Sequence, residues 1–261
     1  MTDNVQPLLA TKDLSKMFGG VVALDQLEMQ VLPNRILGLI GPNGSGKTTF
    51  FNVATGIYPA SGGMVTFDGA DITNLSTQAV YRAGISRTFQ RSRLSLSLSI
   101  FDNIMIGNHK RLNQSLWFNL IRREAFRRQF EESFEEARDL IKVFDPPLAD
   151  RMFEAISGFP MIDRRRIEIC RALISRPKLL LLDEPSAGMT HDETTELMDD
   201  ILEVKEKFED LTIIIIEHEM GVIERITDSC VVLNFGQKIC EGTYQEVSQD
   251  RQVQEAYLGI E

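Results

Sequence analysis

The sequence has no long hydrophobic run. No window approaches the roughly 18 to 20 consecutive apolar residues that a membrane-spanning helix needs. Its opening residues, Met1-Thr2-Asp3-Asn4, lack the basic-then-apolar layout of a secretory leader, so the expectation is a cytosolic chain that meets a membrane only through a partner. Cysteine is scarce: Cys170, Cys230 and Cys240 are odd in number and show no paired metal-ligand spacing, and they read as small core residues in a reducing compartment. Positive charge is also in short supply. With 28 Lys and Arg against 38 Asp and Glu, the net charge of −10 speaks against general nucleic-acid binding, because the mean field repels a phosphate polymer. Two local basic clusters, Arg122-Arg123 with Arg127-Arg128 and the run Arg164-Arg165-Arg166, read as solvated helix faces. Tandem repeats and low-complexity segments are absent.

What is there is a chain of 261 residues, 43% hydrophobic, enough for one large α/β domain or two small ones with a sizeable core. The first third reads as short strands and turns: Leu8 to Leu14, Val21 to Leu24, Leu27 to Val31, Ile36 to Ile40 and Met64 to Phe67, with Pro33-Asn34 and Asp68-Gly69 supplying turn chemistry. Helix is expected over Thr48 to Thr55. In the middle, Phe126, Phe130 and Phe134 recur every fourth residue and Ala137, Leu140, Ile141 and Phe144 extend the stripe, so this section is helical and most of the stripe is expected to pack on its own domain. Leu94 to Ile100 alternates with period two and reads as a strand by pattern. After Pro177, apolar runs at Leu179 to Leu182 and Thr212 to Ile216 flank a helix-like segment from about Asp192 to Phe208, which indicates a parallel sheet covered on both faces.

Chemistry enters at Gly41-Pro42-Asn43-Gly44-Ser45-Gly46-Lys47-Thr48, a G-x-x-x-x-G-K-[ST] loop between an apolar strand and a helix. The glycines let backbone N–H groups turn onto phosphates and the helix N-terminus adds positive dipole. Lys47 is placed to reach the β and γ phosphates of ATP, and Thr48 to ligate magnesium. At the end of Leu179-Leu180-Leu181-Leu182, Asp183 and Glu184 put two carboxylates where desolvation is costly unless a cation offsets it. Asp183 is therefore read as a magnesium-shell ligand and Glu184 as the base for the attacking water. Phe18, Gln90 and His218 are ambiguous by spacing alone, since a surface or structural role fits each of them.

These pieces, in this order and over essentially the whole chain, resemble the ATP-binding subunits of ABC transporters. The resemblance implies an α/β P-loop NTPase of ABC type: a mostly parallel core sheet with an antiparallel β subdomain, over about 1–90 and 177–261, and a helical subdomain at about 91–176. It implies that Phe18 stacks on adenine, that Thr49 joins the phosphate loop in the nucleotide site, and that Gln90 touches magnesium and faces the membrane subunit. It further implies that Ser186-Ala187-Gly188-Met189 crosses a dimer and that His218 contacts the γ-phosphate. Arg91 to Ile100 becomes loop leading into helix, which overrides the period-two strand.

Phe18-Gly19-Gly20, Gly84-Ile85-Ser86-Arg87-Thr88-Phe89-Gln90, Ile216-Glu217-His218-Glu219-Met220 and Ala256-Tyr257-Leu258-Gly259 are similar to branched-chain amino-acid uptake ATPases, a pattern shared by amide and urea importers. The family's signature, Leu-Ser-Gly-Gly-Gln before an arginine-rich helix, is degenerate. Aligned without a gap on Arg165 to Leu173, it falls on Phe159-Pro160-Met161-Ile162-Asp163; a shifted reading uses Ile156-Ser157-Gly158. Family members meet head to tail, and the signature of one subunit closes the ATP site of the other. The expected assembly is therefore a heterodimer with a different ATPase subunit whose intact signature completes the site of Lys47, Glu184 and His218. Transmembrane permease subunits, holding it at the cytoplasmic face of the membrane, and an extracytoplasmic substrate-binding protein complete the expected complex. Competing readings are an ATP-gated assembly or regulatory module with little hydrolysis and, more weakly, a soluble ATPase acting on DNA or ribosomes.

Overall fold

The computed structural model describes residues 6–109, 111 and 122–258. Met1-Thr2-Asp3-Asn4 and Gly259, which the sequence reading used, lie outside the described residues. Backbone contacts divide the chain into two compact units. The first comprises residues 6–87, 178–185 and 209–258; the second comprises residues 88–177 and 186–208, apart from the undescribed positions.

In the first unit, β1 (Leu9–Phe18) and β2 (Val21–Val31) form an antiparallel pair, extended by β4 (Gly62–Phe67) and β5 (Ala70–Asp71) in the order β2-β1-β4-β5. The two segments expected over Val21 to Leu24 and Leu27 to Val31 are one strand, interrupted by a register shift where Gln26 takes φ 47°. A six-stranded sheet has the order β10-β9-β3-β8-β7-β6, from β3 (Ile36–Ile40), β6 (Ile85–Arg87), β7 (Leu179–Asp183), β8 (Thr212–Ile216), β9 (Ser229–Asn234) and β10 (Gln237–Gly242). It is parallel throughout except for the β9–β10 pair. Strands β3, β7 and β8 are buried at every position, as their unbroken apolar runs require of a sheet covered on both faces. Helices α1 (Lys47–Ala54), α2 (Thr77–Ala83), α7 (Met220–Ile226), α8 (Tyr244–Gln249) and α9 (Arg251–Leu258) complete this unit. The apolar faces of α1 and α2, with Phe50 and Phe51 of α1 fully buried, share a core with strands of both sheets.

The second unit carries α3 (Ile100–Ile106), α4 (Arg123–Phe144), α5 (Met161–Leu173) and α6 (His191–Lys207). The sequence reading drew the helical part as 91–176; Ser186–Phe208, with α6, also groups here by contacts. Leu94 to Ile100 forms no strand. Ser99 caps α3 by accepting from the Asp102 N–H, and the buried Asn103 amide donates to the carbonyls of Ser95 and Ser99 and accepts from the Ser95 N–H. Those side-chain bonds satisfy the Ser95 and Ser99 backbone locally, and pairing is limited to an isolated antiparallel bridge of Ser99 with Ala155, where the Ile100 N–H bonds the Glu154 carbonyl and the Ile156 N–H the Leu98 carbonyl.

The stripe on α4 packs from Ala137 to Phe144, while Phe126 and Phe130 stay largely exposed. Arg122, Arg123, Arg127 and Arg128 are solvated as expected, but Arg165 and Arg166 are not. Both are buried: Arg165 bonds Glu168 at 2.8 Å, and Arg166 bonds Asp200 at 2.8 Å and Glu196 at 2.5 Å. Helical spacing alone could not show that carboxylates from α6 would meet Arg166, and a charge with such partners tolerates burial.

Candidate active site

The phosphate loop is shaped by its neighbours. Gly41 leaves β3 at φ 144°, and a Cβ there would stand 2.1 Å from the Leu233 carbonyl oxygen of β9, so no side chain fits. Gly46, the N-cap of α1, has φ 108°, and its would-be Cβ would stand 2.7 Å from the Ala23 carbonyl oxygen. No side chain caps α1 and no acidic residue sits in its first turn, which leaves the helix N–H groups and dipole directed at an anion. Lys47 is buried, and its ammonium donates to the carbonyls of Gly41 (2.7 Å) and Pro42 (3.1 Å), folded over the loop it serves. Burial lowers its pKa, partly opposed by the nearby charges of Glu184 and Asp183. Thr48 is exposed beside it; Pro42 and Thr49 are half-buried, and Asn43 and Gly44 are exposed. Ser45 is buried, and its Oγ has no hydrogen-bond partner among the described residues.

Two strands away, β7 ends in Asp183, and Glu184 follows. Burial raises the Asp183 pKa, and Arg87 acts against that with a 2.6 Å bond to Oδ2. The other oxygen, Oδ1, is buried with no partner among the described residues. Glu184 takes φ 48°, a left-handed conformation that strains a non-glycine residue, and is held there by its N–H bond to the Ile216 carbonyl at 2.9 Å. Its Oε1 lies 2.7 Å from His218 Nε2, just past the end of β8. Loop, acidic pair and histidine thus gather at the C-terminal ends of β3, β7 and β8. Phe18, at the end of β1, keeps an exposed ring that meets Tyr58 edge-on at 5.3 Å, with the Lys16 ammonium 4.8 Å from its centre. Gln90 is exposed and belongs to the second unit, as do Ser186 to Met189.

The residues fit a magnesium ion. Among the described residues no three His, Cys, Asp or Glu side chains gather to hold a metal alone, so an ion at Asp183 Oδ1 would share its coordination with substrate phosphates, as magnesium commonly does. In the second unit, the gap-free signature positions fall at the start of α5: Phe159 is buried, Pro160 is the N-cap and Met161 opens the helix. Pro160 has neither an N–H nor a side-chain oxygen to offer. Ile156–Gly158, the shifted alternative, forms a separate 3-10 turn before it.

Sequence reasoning quoted Arg87 only inside a motif and gave it no role. Its contact with Asp183 depends on the pairing of β6 beside β7, with Arg87 opposite Leu181, and local sequence does not reveal that neighbour.

A phosphate loop between a parallel strand and a helix, faced by an acidic pair from a strand of the same sheet, defines a P-loop nucleotide hydrolase. Residues 24–187 match the family model described as ABC transporter, and residues 237–261 match the one described as branched-chain amino acid ATP-binding cassette transporter. The chain belongs to the ABC transporter family, as an ATP-binding and ATP-hydrolysing subunit. It is 36% identical over 254 residues to the high-affinity branched-chain amino acid transport ATP-binding protein LivG of Salmonella typhimurium, covering 97% of this chain and 98% of that one. It is 34% identical over 268 residues to the probable LivG of Methanocaldococcus jannaschii, covering 99% and 100%. Among solved structures, a nucleotide-free ATP-binding cassette from an ABC transporter superposes with a TM-score of 0.82 at 30% identity, covering 97% and 99%. An ATP-binding cassette of an ABC transporter in its ADP conformation gives the same values.

Proposed function

We propose that this chain drives uptake of branched-chain amino acids or a related small polar solute, as one half of a heterodimer with a different ATPase subunit. Both named relatives carry branched-chain amino-acid transport in their names, and the C-terminal match points the same way. The observation that carries the heterodimer is the start of α5, where Pro160 and Met161 stand in place of the signature's serine and first glycine. Losing one comparable oxyanion donor costs about 10² to 10³ in rate, so this chain would close its partner's site poorly. Its own loop, Glu184 and His218 are complete and would be closed by an intact signature from the other subunit.

In that site Phe18 stacks on the base, residues Gly41 to Thr49 wrap the phosphates, and Lys47 swings from the loop carbonyls to the β and γ oxygens. Glu184 orients the attacking water and takes its proton, and His218 contacts the γ-phosphate while bonding Glu184. Thr48, Gln90 and Asp183 would hold magnesium, whose contribution is to neutralise charge developing on the phosphates. The second unit supports docking on membrane permease subunits: Leu96, Ile106, Phe126, Phe130 and Phe153 expose a large apolar surface there. Docking would hold the chain at the cytoplasmic face of the membrane, with an extracytoplasmic binding protein delivering the solute.

Purifying the intact complex and identifying its chains by mass spectrometry tests this reading. A second, different ATPase chain and a substrate-binding protein are expected. A complex whose only ATPase is two copies of this chain, hydrolysing at two equivalent fast sites, overturns the heterodimer. Pro160 also favours a second reading, an ATP-gated assembly module with little hydrolysis; turnover measured with and without the membrane partner separates the two.

A further inference from the structure

Arg87 closes β6 and reaches three groups around the acidic pair. One terminal nitrogen donates to Asp183 Oδ2 at 2.6 Å and the other to Asn52 Oδ1 at 2.7 Å, while the guanidinium carbon stands 5.2 Å from the centre of the Phe51 ring. Asn52 and Phe51 lie on α1, the helix that the phosphate loop opens. The side chains of the ion pair are only 5% and 3% exposed. Arg87 therefore joins the strand end that carries the acidic pair to the helix that carries the phosphate loop.

The two oxygens of Asp183 are not equivalent. Oδ2 is engaged by the guanidinium, whereas Oδ1 is buried with no partner among the described residues. The terminal torsion of an aspartate is broad and roughly two-fold, so an untethered carboxylate would exchange its oxygens and blur the direction in which it offers charge. A planar guanidinium, holding the carboxylate with one arm and an amide oxygen with the other, removes that freedom. An ammonium is a point charge without the fork and cannot hold both acceptors in fixed directions.

We infer that Arg87 is a positioning residue for the metal that accompanies the nucleotide: it fixes Asp183 with Oδ2 engaged, leaves Oδ1 as the oxygen offered to the ion, and ties that oxygen to α1. This rests on the magnesium–ATP reading above. Arg87 touches neither phosphate nor water in this role. A cross-brace that only stabilised the fold would affect nucleotide and metal alike.

The test is Mn²⁺ binding to the purified chain with a non-hydrolysable ATP analogue, followed by the electron paramagnetic resonance signal of free Mn²⁺, alongside analogue binding in a chelator. Arg87→Lys keeps the charge and loses the fork; its Mn²⁺ affinity is expected to fall about 5- to 10-fold, with metal-free analogue affinity held within about 2-fold. Asn52→Ala frees one arm without touching Asp183, and a smaller loss of about 3-fold is expected. It decides the matter should the lysine variant fail to fold by circular dichroism. Unchanged Mn²⁺ affinity in whichever variant folds overturns the inference, as does a parallel fall in metal-free binding. Wild-type chain that takes up no Mn²⁺ with the analogue would instead overturn the magnesium–ATP reading itself.

Discussion

Glu184 Oε1 and His218 Nε2 lie 2.7 Å apart, although the residues follow different strands and stand 34 positions apart in the chain. The pairing of β7 with β8 produces this contact, since Asp183 sits opposite Ile216 and the two chains leave the sheet side by side. Glu184 is also held in a strained left-handed conformation, with its N–H on Ile216. Strain of about 1–3 kcal/mol persists only where the surroundings over-determine it. Here the sheet fixes the carboxylate's place before any substrate arrives.

Glu184→Gln is therefore expected to keep ATP binding and lower turnover of the assembled complex by at least about 10²-fold, the usual contribution of a positioned base. Phosphate release and binding of a fluorescent ATP analogue, measured on one preparation, check this. Residual turnover near wild type would move the base elsewhere.

His218→Ala removes both the proposed γ-phosphate contact and the hydrogen bond that orients Glu184. Turnover should fall about 10²-fold or more, with ADP affinity unchanged, because ADP has no γ-phosphate to lose. Equal weakening of ADP and ATP binding would show that the histidine serves the fold of the loop instead.

The C-terminal helix brings the Tyr257 hydroxyl near the Gly41 backbone, whose effect on its ionisation is outweighed by burial. Burial dominates at that hydroxyl, and its pKa is pushed up to about 12. Between pH 10 and about 12 the unfolded chain releases this proton while the folded chain keeps it, so stability falls as pH rises through that window. Tyr257→Phe should flatten this part of the alkaline decline in melting temperature; parallel wild-type and variant curves from pH 9 to 11.5 would contradict it.

Legibility followed locality. Ile36 to Ile40 and Thr212 to Ile216 were readable to the residue because a strand covered on both faces is an unbroken apolar run. The phosphate loop and acidic pair were readable because their chemistry needs residues adjacent in sequence. Leu94 to Ile100 was misleading by pattern: alternation says nothing about how far a partner strand extends, and here the Asn103 amide takes backbone groups of Ser95 and Ser99 while pairing stops at one isolated bridge, Ser99 with Ala155. The burial of Arg87, Arg165 and Arg166 was not legible, although Glu168 stands one helical turn from Arg165. Whether an arginine is solvated or buried is decided by which carboxylate the fold brings to it, and those partners lie between 3 and 96 positions away.

Glu168 is such a partner. On α5 and 1% exposed, it accepts from Arg165 at 2.8 Å, from Arg171 at 3.4 Å and from the Arg93 N–H at 3.3 Å, while Arg165 also donates to the Phe89 carbonyl at 3.2 Å. The segment carrying Gln90 is thereby clasped to α5 on both sides. Glu168→Ala leaves buried guanidinium charge without its carboxylate and should destabilise the protein by about 3–5 kcal/mol, read as a lower urea midpoint. A midpoint equal to wild type would show that water or another carboxylate replaces it.

Phe153 offers a separable test of membrane-subunit docking. It is 66% exposed, stacked on Phe134 at 5.2 Å and edge-on to Phe101 at 6.0 Å. Its outward face is the kind of rigid aromatic anchor that dominates interface energy, where truncation costs about 2 kcal/mol or more, roughly a 30-fold loss of affinity. Phe153→Glu keeps the first unit untouched, so ATP-analogue binding by the isolated chain should not change. Co-purification with the permease subunits should fall by that factor, and solute-stimulated turnover with it. Full assembly by the glutamate variant would place the docking face elsewhere on the chain.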